Sequence, residues 1–173
     1  MPVTRLNVAA FTGSMTVSSR RFRVLQYTPR LAKLGITIHE YVARFGSWPP
    51  RSKLLRPAWL VGTVVDRVPS VLRSHRYDMA LLQREMVSTL LTLEPFTRRP
   101  RILDVDDAIW LNGERSLKSF AALARMCDGV MCGNDFIAEN VARWNKNILL
   151  LPTAVDTDRF RPPAEKPEGR RII

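Results

Sequence analysis

Three carboxylates crowd into the run Asp104-Val105-Asp106-Asp107. Like charges this close raise one another's pKa unless a cation or hydrogen-bond donors answer them. Alternation along an extended chain puts Asp104 and Asp106 on one face and Asp107 at the tip. Four uses fit the pattern. It could be a D-x-D pair holding a metal against a diphosphate, or the nucleophile of a phosphatase motif D-x-D-x-[TV]. It could also accept hydrogen bonds from substrate hydroxyls, or simply cap the following loop. Ala108 stands where the phosphatase motif has Thr or Val, and only 66 residues follow Asp107. A second constellation, Gln83-Arg84-Glu85, places a guanidinium beside a carboxylate, as a ligand clamp or as a plain ion pair. In a third, the small turn Thr12-Gly13-Ser14 precedes Ser18-Ser19-Arg20-Arg21-Phe22-Arg23. A turn entering a helix leaves backbone N–H groups for an anion or a sugar hydroxyl, and arginines add forked donors. The alternative there is a solvated basic helix face. The turn is not G-x-G-x-x-G, so dinucleotide binding is unsupported.

These residues share a position in the expected architecture. Residues 6–11, 36–41, 77–83, 101–107, 129–132 and 148–151 read as strands, and Pro152 stops the last. Helices are expected over 18–34, ended by Gly35, and over 58–72, 88–96, 116–125 and about 135–144, the last capped by Asn134 or Asp135. Residues 44–57, with Gly46 and three prolines, read as loop. Alternating strands and helices predict an α/β, Rossmann-like parallel sheet with helices on both faces. Ligands of such sheets bind outside the carboxyl ends of the strands. Gly13, Ser14, Arg84, Glu85, Asp106 and Asp107 all fall just after strands, and Arg21 and Arg23 lie on the helix entered there. The expectation is that the arginines and aspartates meet in one cleft.

Bulk properties narrow the partners. The chain of 173 residues is 46% hydrophobic and 25% charged, with 27 Lys and Arg against 16 Asp and Glu, a net charge of +11. That surplus favours phosphate-rich partners: nucleic acid, an anionic membrane face or phosphorylated substrates. Nine basic residues and one acid, Glu40, lie between positions 20 and 56. Aromatic interleaving is sparse there and no nucleic-acid motif appears, so nucleic acid is disfavoured. Two cysteines, Cys127 and Cys132, with histidines only at 39 and 75, make a poor zinc site, and read as small apolar residues flanking a buried strand. No metal is expected. No signal peptide or membrane span is evident, so a cytoplasmic location is expected, at most peripheral at the inner face of the membrane.

Four segments in order resemble the glycosyltransferase family 4 group of GT-B enzymes: Ser18–Val24 (S-x-R-[YF]-R-V), Leu81–Glu85 (ending Q-R-E), Ile102–Trp110 (D-x-D-D-A-[IW]-W) and Cys127–Phe160. The last ends in Pro152-Thr153-Ala154-Val155-Asp156, where similar enzymes show Pro-Asn-Gly-Val-Asp. The resemblance implies the N-terminal, acceptor-binding half of a retaining, nucleotide-sugar-dependent transferase, with the domain at residues 1–160. Residues 161–173 would be a linker and the start of a C-terminal domain. The donor-binding residues would lie beyond Ile173, on this chain's continuation or on a partner chain. It implies no cofactor, the nucleotide sugar being a substrate, and a glycan or lipid-linked acceptor. Acceptor binding falls to Gly13, Ser14, Arg21, Arg23, Arg84 and Glu85. Asp106 and Asp107 occupy the place where many relatives have a catalytic histidine, and would orient an acceptor hydroxyl. Alone, the chain is expected not to turn over. The rival readings are a non-catalytic basic scaffold domain and a phosphatase using Asp104.

Overall fold

The computed structural model describes residues 5–15, 17–46, 48–158 and 160–161. The expected linker, residues 161–173, lies outside the described residues apart from Arg161. Six strands form one sheet: β1 Leu6–Thr12, β2 Ile36–Val42, β3 Met79–Gln83, β4 Arg101–Val105, β5 Gly129–Cys132 and β6 Ile148–Leu150. Their order is β2-β1-β3-β4-β5-β6 and every pairing is parallel. Strands covered on both faces read as continuous apolar runs rather than alternating ones, and Val8-Ala9-Ala10-Phe11 is buried throughout.

The order reverses between β1 and β3. The crossover from β1 to β2 runs one way along the sheet and all later ones run the other way. Right-handed crossovers therefore put the two kinds on opposite faces. The first carries α1 Ser18–Arg23 and α2 Thr28–Lys33; the later ones carry α3 Arg56–Ser74, α4 Glu114–Met126 and α5 Asp135–Val141. The larger core lies on the second face, where Ala9, Phe11, Leu82, Leu103 and Val105 meet Val71, Phe120, Leu123, Ile137 and Val141. Trp110, Phe120 and Trp144 stack there, with ring centroids 4.9–5.9 Å apart. Asn134 accepts from Ile137 N at 2.9 Å and starts α5.

Two expected helices differ. The helix expected over 18–34 is broken into α1, a 3-10 turn at Leu25–Tyr27, and α2. Pro29 contributes to the break: in a continuous helix it would have no N–H for the Leu25 carbonyl and its ring would clash with that carbonyl. The chain leaves helical backbone at Val24 and restarts at Thr28 with Pro29 in the first turn. Gly35 does end α2, with φ 82°. No α-helix forms over 88–96. The buried Glu94 carboxylate accepts from Met86 N and Thr92 N, both at 2.6 Å, and holds the segment as an irregular loop with one 3-10 turn at Glu94–Phe96. Cys127 and Cys132 are both free and buried, as expected. Burial pushes their thiols up to about 12 and about 11, so neither is a nucleophile at neutral pH.

Candidate functional site at the carboxyl edge of the sheet

The reversal of strand order leaves a crevice at the carboxyl ends of β1 and β3, where open α/β sheets bind ligands. A cavity of about 90 Å³ opens there, room for several water molecules. Gly13 follows β1 and forms one wall. Gln83, Arg84 and Glu85 at the end of β3 form the floor, and Trp48, Ser88, Asn112 and Ser116 close the sides. Arg84 has φ 66°, a left-handed backbone that costs an L-residue about 1–2 kcal/mol. That reversal separates its side chain from its neighbours. Arg84 turns toward Asp106, at 3.2 Å, and Asp107, while Gln83 and Glu85 stay inside at 6% and 7% exposure.

The interior pair is chemically unusual. Nε2 and Oε1 of Gln83 and Oε1 of Glu85 make no well-aligned hydrogen bond in the protein, although Gln83 lies against Asp104 and Glu85 against Ser119. Buried polar groups are nearly always partnered, and leaving one unmet costs about 1–3 kcal/mol. Burial, with the negative charge of Glu94 adding to it, pushes the Glu85 carboxyl up to about 7, against the partial relief of its own backbone, nearby Ser119 and Arg84. The cavity therefore offers an amide and a carboxyl that can both donate and accept near neutral pH. Arg84, the one cation on its wall among the described residues, is already answered by two carboxylates.

Beneath this edge lies a closed ion pair. Arg23 donates through Nε to both Asp104 oxygens at 2.9 Å, and through Nη1 to Leu151 O at 2.9 Å and Thr153 Oγ1 at 3.1 Å. Both side chains are 2% exposed. Burial would lower the Arg23 guanidinium, but the contact and charge of Asp104 outweigh it and hold it above its ordinary value. Burial pushes Asp104 up, and Arg23 opposes that. Another buried cation, Arg67 of α3, donates to Tyr41 O at 2.7 Å and Thr12 O at 2.8 Å, tying down the ends of β2 and β1. Where β5 ends, Gly133 N donates to Val105 O at 2.8 Å, and a Cβ on Gly133 would lie 3.1 Å from the Asp106 backbone. Gly133→Ala should therefore lower stability by about 1 kcal/mol and displace Asp106; thermal unfolding and the Asp106 amide chemical shift check this.

The sequence-expected residues divide accordingly. Gly13, Arg84 and Glu85 meet at the cavity, and Asp106 and Asp107 join them through Arg84. Ser14 lines a neighbouring hollow over β2 with Glu40, Tyr41 and Arg73. Arg23 is spent on Asp104. Arg21, two residues earlier and so on the other side of α1, lies with its guanidinium 4.7 Å from the Phe22 ring centroid and lines a separate hollow with Gln26, Asp156 and Phe160. The single cleft expected for Arg21, Arg84 and Asp106 thus forms for the last two and without Arg21. Gln83 was missed as a site residue although it sits at the same strand end as Arg84. Trp48, Asn112 and Ser116 carried no sequence signal. Among the described residues no group of three His, Cys, Asp or Glu side chains is placed to hold a metal ion.

The sheet order and the crevice are those of a Rossmann-like α/β domain, of the kind that makes one half of a GT-B fold. A solved structure bears that likeness out: Anabaena HepE, crystallised in complex with UDP and glucose, superposes with a TM-score of 0.58 at 12% identity. The match covers 89% of this chain and 46% of that one, so the chain spans about half of HepE's length. No protein-family model matches the chain, and no curated protein matches it in sequence.

Proposed function

We propose that this chain is the acceptor-binding half of a retaining, nucleotide-sugar-dependent glycosyltransferase of the family 4 type. One observation carries the reading. The crevice at the strand-order reversal holds a buried amide and a buried carboxyl, Gln83 and Glu85, with polar atoms that lack well-aligned partners in the protein. A glycan hydroxyl donates and accepts at once and satisfies both. Trp48, exposed at 63% on the cavity wall, offers an aromatic surface for the C–H face of a sugar ring. Asp106 and Asp107, steadied by Arg84, orient the attacking hydroxyl. The nucleotide sugar is held by a second domain, on a continuation of this chain or on another chain. Transfer needs donor and acceptor fixed against each other, so this half alone binds without turning over.

Saturation-transfer NMR of the 173-residue chain against neutral oligosaccharides and UDP-glucose tests this. Oligosaccharide binding should weaken about tenfold on Gln83→Leu and on Trp48→Ala, an effect of the size expected for a lost buried hydrogen bond or stacking surface. Binding of UDP-glucose that these two substitutions abolish would reassign the cavity to the donor. Saccharide binding indifferent to both would remove the acceptor reading, as would sugar transfer by this chain alone.

A further inference from the structure

We propose that the outward face of α3 is a docking surface for an anionic lipid bilayer. A helix on a protein surface normally turns a polar face to water, and one that is apolar all round is normally covered on every side. α3 breaks that rule. Thr63, Arg67, Val71 and Ser74 face the core. On the opposite side, Ala58, Val61, Val65, Val68 and Leu72 recur at three- and four-residue spacing, and all five are exposed. Val61, Val65 and Leu72 are 62–66% exposed, and no charged residue interrupts the row. The row runs about 21 Å along the helix axis, at about 1.5 Å per residue. It is prolonged before the helix by Leu54, 92% exposed, and beyond it by Phe96, 64% exposed, which borders the same hollow as Leu72.

Charge selects the occupant. Arg51, Lys53 and Arg56 stand at the start of the row; at its end Arg98 borders the hollow of Leu72 and Phe96, and the exposed Arg73 and Arg76 follow Leu72 in the chain, Arg73 on the flank it shares with Asp66. Among the described residues none of these six pairs with a carboxylate, whereas the one acid of α3, Asp66, lies to the side at 3.6 Å from Arg44. A face of one sign repels a second copy of itself but complements the phosphates of a lipid surface. Apolar side chains between such cations sink a short way into the acyl boundary, with the helix lying in the plane of the interface. Among the described residues no helix is long and apolar enough to cross a membrane. The surface therefore rests on the bilayer. This inference stands on α3 alone and does not depend on the acceptor cavity.

Flotation of the 173-residue chain with vesicles is the test. Vesicles of phosphatidylcholine with about one-third phosphatidylglycerol should carry the protein at low salt and release it as salt rises. Neutral phosphatidylcholine vesicles should leave it behind. Val61→Glu with Val65→Glu should reduce flotation about tenfold, with circular dichroism and Tm unchanged because both sites are exposed. Arg73→Glu with Arg76→Glu should do the same by charge alone. No flotation by the parent chain, equal flotation on neutral vesicles, or a Val61/Val65 variant that floats like the parent would each overturn the proposal. So would a parent dimer that this variant splits without loss of flotation, since the face would then join two copies.

Discussion

Asp104→Ala should lower the unfolding free energy by about 3–5 kcal/mol, read as a fall in the midpoint of a denaturant titration. The size follows from what is left behind. Arg23 would keep its carbonyl and hydroxyl partners at Leu151 and Thr153 and the more distant charge of Asp106, but lose the carboxylate in contact with it, in a place where its side chain is 2% exposed. An unanswered buried charge is far more damaging than the loss of the contact itself. The double substitution Arg23→Met with Asp104→Leu should therefore recover most of the loss, because apolar groups of similar size need no counter-ion. An Asp104→Ala variant within about 1 kcal/mol of the parent would show that Arg23 escapes to solvent and that the pair is not part of the closed interior. This placement also decides between the uses the acidic run allowed. Asp104 is sealed by a guanidinium and is not positioned as a nucleophile or a metal ligand, whereas Asp106 and Asp107 stand outside it.

Glu85 gives the second large effect, in pH dependence. Its folded-state pKa is raised from 4.5 to about 7. The folded state thus holds a proton that the unfolded state has released, and stability falls as pH climbs through this interval. The contribution is complete below about pH 4.5 and lost above about pH 7. At about 1.4 kcal/mol per pH unit, the full loss is about 3 kcal/mol. Denaturant midpoints of the parent should fall between about pH 5 and 8, while those of Glu85→Gln stay level across the same range. The two proteins should converge at the acidic end and separate at the basic end, the variant being the more stable. Parallel curves would mean that Glu85 ionises as freely in the fold as out of it.

Much of the frame was legible before any coordinates. The six strands are recoverable because buried parallel strands are short apolar runs closed by turn residues, and 129–132 is located to the residue. The order of the sheet is not written in such runs, yet the rule that ligands sit beyond strand carboxyl ends picked out Gly13, Arg84 and Glu85. What failed has local physical causes. Pro29 interrupts a helical pattern that periodicity alone would carry through. Glu94 takes the Thr92 N–H that a helix over 88–96 would have used, and ties the segment back to Met86 N. The arginines of α1 were read as one charged face. At about 100° per residue, Arg21 and Arg23 point to nearly opposite sides, and burial of Asp104 captured one of them. Composition gave the sign of the charge surplus without its location. The exposed row on α3 looked like an ordinary helix because hydrophobicity on the outer side is visible only once the inner side is known.

The Arg23 clamp also orders events in time. Its guanidinium joins helix α1 to partners 81, 128 and 130 residues further along the chain. A polypeptide emerging from the ribosome carries this arginine hydrated and without its carboxylate until Asp104 has emerged. Only when Thr153 has cleared the exit can the last of those bonds close. Assembly of the edge is thus gated by the segment just after β6, and an intermediate lacking that stretch would keep a loosened first helix.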